Sequence, residues 1–197
     1  MSEYRPHTKP FMERCCELYD VRPESLRPLL ARMRECRFAK GDTVIRTGAR
    51  HTAFYLLESG IWREYFFDND GEETTHWFFT PGEAVFSTWS YARNAPSRVS
   101  VEAVCDSVAL CIEQRELEEL YASSIELAGL GRKIIENHLL GIENWLLDGG
   151  ERKAADRYRT LLNDTPEVLR HTSLKHIASY LRITPQSLSR IRASIHK

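Results

Sequence analysis

Ser173-Leu-Lys-His-Ile-Ala-Ser-Tyr-Leu-Arg-Ile-Thr-Pro-Gln-Ser-Leu-Ser-Arg-Ile-Arg192 is the stretch whose reading decides the fold of this 197-residue chain. Ser173 can cap a helix, and Leu174, Ile177, Ala178 and Leu181 follow at the spacing of one helix face. The small side chain of Ala178 allows a second helix to cross closely. Ile183 plugs the turn, Thr184 caps the second helix, and Pro185 takes its first position, where a missing N–H costs nothing. Leu188 and Ile191 face back toward the core. The parts compose a helix-turn-helix from Leu174 to about Ile195. They leave Thr184, Gln186, Ser187, Ser189, Arg190 and Arg192 as candidate DNA-contacting residues: Arg bonds guanine in bidentate fashion, Gln does the same for adenine, and hydroxyls hold phosphate. Arg182 stands in the turn where glycine is common, and a left-handed conformation there costs ~1 kcal/mol.

Charge agrees with this reading. From Thr172 onward the basic residues are Lys175, Arg182, Arg190, Arg192 and Lys197, joined by His176 and His196, and Asp and Glu are absent. The whole chain carries a net charge of −1. Positive charge confined to one module is the footprint of a face that meets phosphate, not of an all-over nucleic-acid coat.

Moving outward, Ala128, Gly131, Ile135, Leu139, Ile142 and Leu146 follow the 3-4 spacing of a coiled-coil seam, while Leu127, Leu130, Ile134 and Leu147 form a second stripe. A helix over about 114–149 with two apolar stripes needs two partners: its own β-rich domain and a second copy of itself. Asp148-Gly149-Gly150 reads as its stop and as a hinge. Residues 1–149 and 150–197 are accordingly the expected domains. Helices are expected near 151–163, 165–170, 174–181 and 185–195.

Between Arg37 and Glu113 the segments 53–67, 73–79, 98–105 and 108–113 are rich in β-branched and aromatic residues. Turn signals part them, among them Lys40-Gly41-Asp42, Glu58-Ser59-Gly60 and Thr80-Pro81-Gly82-Glu83. Short strands at this spacing predict an antiparallel barrel or sandwich. In 98–105, Val99, Val101 and Ala103 share one face, as in a half-buried strand. Residues 10–35 read as helical, with Pro23 in a first turn. The fold class is therefore α+β: a jelly-roll-like, double-stranded β-helix domain, a long dimerisation helix and a small helix-turn-helix domain.

Five cysteines, Cys15, Cys16, Cys36, Cys105 and Cys111, show no CxxC pair or cluster spacing. Small core residues are the expectation for Cys105 and Cys111, with no metal site and no cofactor. No apolar run approaches the ~20 residues of a membrane span, and the N-terminus lacks a secretory pattern. A cytoplasmic protein without a membrane partner is expected.

In this order the segments resemble the Crp/Fnr family of regulators. The carriers are Phe38-Ala-Lys-Gly-Asp-Thr-Val-Ile-Arg-Thr-Gly48, Tyr55-Leu-Leu-Glu-Ser-Gly60, Thr80-Pro-Gly-Glu83 and the tail from His176 to Ile191. The resemblance implies a cyclic-nucleotide-binding-like β-roll, a homodimer through the long helix, double-stranded DNA as partner, and RNA polymerase as a candidate contact. Members that bind cyclic AMP carry Phe-Gly-Glu followed by Pro-Arg-Ala/Ser. Here the matching stretches are Phe86-Ser87-Thr88-Trp89 and Pro96-Ser97-Arg98-Val99. Ser87 replaces the glycine, Thr88 the glutamate and Ser97 the arginine, and Arg98 comes one residue late, which in a strand turns it to the other face. Losing charge-assisted contacts costs several kcal/mol. Cyclic AMP binding in the usual way is not expected, and residues 86–89 and 97–99 line either a filled pocket or one for a less charged effector. After Arg192 only Ala193 to Lys197 remains, so a full β-hairpin wing is not expected.

Two other classes stay open. A cupin-type metalloenzyme would need metal-bound histidines, but the barrel region holds only His51 and His76 and no HxH pair. A ligand-sensing interaction module without DNA binding would keep the fold and lose the recognition chemistry. An enzyme is not expected, and no catalytic residue is assigned.

Overall fold

The computed structural model describes residues 10–151 and 153–195; the N-terminal start, His196 and Lys197 lie outside them. Two helices come first, α1 (Phe11–Tyr19) and α2 (Pro23–Leu30), followed by strands β1 (Arg34–Phe38), β2 (Thr43–Ile45), β3 (Ala53–Ser59), β4 (Trp62–Phe67), β5 (Glu73–Phe79) and β6 (Ala84–Val85). A short helix α3 (Thr88–Arg93) precedes β7 (Ser100–Ala103) and β8 (Ser107–Glu113). Helices complete the chain: α4 (Gln114–Ser123), α5 (Ile125–Glu151), α6 (Ala154–Asp164), α7 (Pro166–His171), α8 (Leu174–Tyr180) and α9 (Pro185–Ile195).

The strands form two antiparallel four-stranded sheets, ordered β1-β8-β3-β6 and β2-β7-β4-β5. Side-chain alternation explains the layering. In β3, Tyr55 and Leu57 point between the sheets, where they meet Ile45, Trp62, Phe79, Val101 and Ala109. Phe54 and Leu56 point the other way, into a cluster with α1, α2, α4 and α5 built on Leu26, Leu29, Leu117, Leu130 and Ile134. A sheet covered on both faces needs strands that are apolar throughout, which is why residues 54–57 form an unbroken run. The second sheet is covered by the C-terminal helices: Ile61, Phe78 and Val104 pack with Tyr158, Leu161, Val168, Ile177 and Leu188. The two expected domains thus share an apolar cluster.

Gly60, in the β3–β4 turn, has φ 95°, and a Cβ there would lie 2.4 Å from the Ser107 Cβ. Only glycine combines that conformation with that approach.

Several boundaries differ from the sequence reading. Residues 10–35 hold two helices, and β1 begins already at Arg34; Asp20, in a left-handed conformation, closes the first helix. The helix expected over 114–149 is two helices. Ser124 is extended, and its hydroxyl accepts a bond from Leu127 N (3.5 Å), so local capping outcompetes continuation. At the other end α5 runs through Gly149 and Gly150 to Glu151, because a glycine costs a helix only about 1 kcal/mol and need not end it. In 98–105 the strand is β7, and its second face is only partly open: Arg98 is exposed and Glu102 half-buried, but Ser100 is buried and its hydroxyl accepts a bond from Thr47 N (3.0 Å).

Cys111 is more than a small core residue, since it forms a disulfide with Cys36 across β8 and β1 (Cα–Cα 6.4 Å). Cys15 is buried beside Gly82 O, and burial pushes its thiol up to about 12.

Candidate functional site

The helix-turn-helix forms as its caps dictate. Ser173 Oγ accepts a bond from His176 N (3.3 Å) to start α8, and Thr184 Oγ1 accepts one from Ser187 N (3.2 Å) to start α9. Between them Arg182 adopts φ 54°, the left-handed turn expected of it. Ala178 and Leu188 are buried at the crossing, and Ile183 and Ile191 pack against the same cluster.

On the outer side of α9, Thr184, Gln186, Ser189, Arg190 and Arg192 are exposed, and Ser187 is half-buried. The hydroxyls are partly engaged: Thr184 Oγ1 donates to Ser187 Oγ (3.0 Å), and Ser189 Oγ donates to Pro185 O (3.0 Å). Among the described residues no side-chain hydrogen bond or ion pair engages Gln186, Arg190 or Arg192. That surface offers donors and positive charge and no carboxylate.

The residues expected to line an effector pocket divide. Ser87 is buried as the N-cap of α3, accepting from Ser90 N (3.3 Å). Ser97 is buried, and its hydroxyl donates to Val99 O (2.8 Å). Phe86 stacks on Phe54 in the helix-side cluster. Thr88, Trp89 and Arg98 are exposed, with the Arg98 guanidinium 3.7 Å from the Trp89 ring centroid. Phe86 also lines a small cavity of about 160 Å³ with Phe54, Tyr91 and Tyr121. The space between the sheets is occupied by Trp62 and Tyr55, onto which Phe38 packs edge-on.

The two barrel histidines serve separate partners: His51 bonds Tyr55 Oη (3.0 Å) and His76 Nε2 lies 2.7 Å from Glu64. Among the described residues no group of three or more potential ligands could hold a metal ion. Nor is any described helix long and apolar enough to cross a membrane.

On α5 the seam residues Ile135, Leu139, Ile142 and Leu146 are exposed, whereas Leu127, Leu130 and Ile134 are buried against the β-roll. Two stripe residues depart. Leu147 is exposed, and Gly131 is buried where a Cβ would lie 2.7 Å from the Tyr121 ring. Sequence reasoning missed how α8 docks on the β-roll. Thr75 N donates to Ser179 Oγ (2.9 Å), Tyr180 packs on Phe78, and the Arg182 guanidinium lies 3.7 Å from the Trp145 ring centroid. The available signal was Trp145 itself, a large aromatic lying off both apolar stripes of α5.

Residues 35–124 match the cyclic nucleotide-binding domain family. No curated protein matches the chain at a significant level. Among solved structures, FixK2 from Bradyrhizobium japonicum aligns with TM-score 0.70 and 22% identity over 83% of this chain and 84% of that one. The c-di-GMP responsive global regulator CLP of Xanthomonas campestris aligns with TM-score 0.68 and 17% identity over 89% and 92%. The Thermus thermophilus catabolite activator protein aligns with TM-score 0.56 and 20% identity over 93% and 86%.

Proposed function

Because the chain carries a cyclic nucleotide-binding domain within the fold of Crp/Fnr regulators, we propose that it is a sequence-specific DNA-binding transcription regulator acting as a homodimer through α5. The observation that carries this reading is the outer face of α9, where Gln186, Arg190 and Arg192 are exposed beside capped, positive-φ turn geometry. Pairing the exposed seam of α5 with a second copy would set two recognition helices about one DNA turn, ~34 Å, apart. Residues 1–149 would then be the sensor with its dimer helix, and 150–197 the DNA-binding domain.

Cyclic AMP in the usual pose is not the effector in this reading. The phosphate would need a guanidinium where Ser97 is buried against its own backbone, and Arg98 is turned out onto Trp89.

Selection from random duplexes tests the function. Enrichment of a two-fold-related site is expected, with Arg190→Ala weakening binding by about 1–3 kcal/mol if it reads a base. Affinity should fall steeply with salt. No enriched sequence, together with no effect of Arg190→Ala, would leave an interaction module without DNA binding.

A further inference from the structure

A cavity of about 570 Å³ lies where the β-roll, α5 and the helix-turn-helix meet, apart from both the recognition face and the residues 86–99 considered above. Its walls include Arg14 of α1, Trp77 of β5, Gly141 and Trp145 of α5, and Tyr180 and Arg182 of the helix-turn-helix. The volume falls within the ~300–1,000 Å³ typical of small-molecule sites, and interfaces between domains are where such sites occur.

The chemistry of the walls selects a ligand class. Trp77, Trp145 and Tyr180 provide flat apolar faces. Gly141 leaves room for the Trp77 ring, since a Cβ there would lie 2.6 Å from it. Two carboxylates line the site, Glu83 and Asp164 of α6, and neither is without a partner: Glu83 is engaged by Thr80 N (2.6 Å), Thr80 Oγ1 (2.9 Å) and Trp77 Nε1 (3.2 Å). They therefore offer a cationic guest little, while Arg14, Arg157 and Arg182 stand in the same walls. Donors are in surplus: the Trp145 indole N–H is buried without an acceptor, and Arg182 holds its guanidinium against that same ring. An uncompensated buried donor costs about 1–3 kcal/mol, which a guest bearing an acceptor would recover.

We propose that this cavity binds a planar aromatic carboxylate, its ring among the indole faces and its carboxylate toward Arg182 and Trp145. Such a guest touches the β-roll, the dimer helix and the turn of the helix-turn-helix at once, so its occupancy biases how the last is held against the other two. That regulatory consequence rests on the DNA-binding reading above; the binding site does not.

The test titrates the full chain with 1-naphthoate, read by tryptophan emission and calorimetry, with 1-naphthylmethylamine as the cationic counterpart. Saturable binding of one 1-naphthoate per chain is expected, at least tenfold weaker in Arg182→Gln and in Trp145→Leu and unchanged in Arg98→Gln. Thr160→Trp, which puts a large side chain into the cavity from α6 and leaves Arg182 and Trp145 themselves in place, should abolish it while unfolding in urea as the parent does. The proposal is overturned by absence of saturable binding, by equal binding of the amine, by indifference to the cavity variants, or by loss in Arg98→Gln. No DNA enters these measurements. A failed duplex selection with 1-naphthoate binding intact would count against the regulator reading alone.

Discussion

Arg63 is 1% exposed, and its guanidinium meets Glu73 at 2.6 Å, Glu102 at 2.8 Å and the Thr75 hydroxyl at 2.9 Å. The two carboxylates are each about a quarter exposed, so water shares in solvating them while the cation depends on them. Arg63→Met would leave two like charges facing each other beneath α8. Breaking a buried pair this way costs about 3–5 kcal/mol, and partial exposure places this case at the low end. The urea midpoint should fall accordingly, and adding Glu73→Gln and Glu102→Gln should restore much of it. A midpoint unmoved by Arg63→Met would remove the network from the account of stability. Arg182 balances opposing effects of similar size: ~1 kcal/mol for its left-handed backbone against about 0.5–1 kcal/mol for stacking on Trp145.

At the scale of elements, α5 carries one apolar stripe into its own domain and leaves another outside. Leu139 is 63% exposed in the middle of that outer stripe, flanked by Ile135 and Ile142. An apolar seam of this kind is left exposed where another helix is to cover it. Leu139→Glu should convert the proposed dimer to a monomer by sedimentation equilibrium and weaken binding to a two-half-site duplex, with the circular dichroism spectrum preserved. A variant that sediments as the parent does would move the interface elsewhere. The expected helix over 114–149 passes through Ser124 and the observed one does not, because the Ser124 hydroxyl caps the start of α5 while its backbone is extended.

Across the molecule, three histidines in different layers are pushed in the same direction. Burial lowers His51 beside Tyr55, His138 against Phe86 and His176 on the side of α8 that faces Glu73, each below the ordinary 6.5. Neighbouring carboxylates oppose the shift in each case: Glu113 for His51, Glu64 for His138, and Glu73 with Glu102 for His176. The folded chain therefore binds fewer protons than the unfolded one below about neutral pH, and stability falls as pH drops through 6.5 toward the folded values. Glu83 is raised by desolvation and acts in the opposite sense, its contribution to stability falling as pH rises from its ordinary 4.5. Urea midpoints measured from about pH 7.5 to about 6 should decline, and His138→Phe should flatten the slope. A midpoint that rises on acidification would contradict the burial of these rings.

The sequence by itself determined the helix-turn-helix, down to the capping roles of Ser173 and Thr184 and the left-handed Arg182, and it determined the exposed stripe of α5. It also carried the strand-rich middle and the departure of residues 86–98 from the cyclic AMP pattern. These features are written within one helical turn or one pleat, where caps, periodicity and φ preferences act between near neighbours. Tertiary structure alone decided the rest. Cys36 and Cys111, 75 residues apart, meet only through the register of β1 on β8. Thr75 and Ser179, 104 residues apart, meet only because α8 docks on β5. The same docking brings Trp77, Trp145 and Arg182 around one cavity and lays α8 over the buried charge of Arg63. Each is a contact between residues that no local rule relates, so it exists only once whole layers have packed.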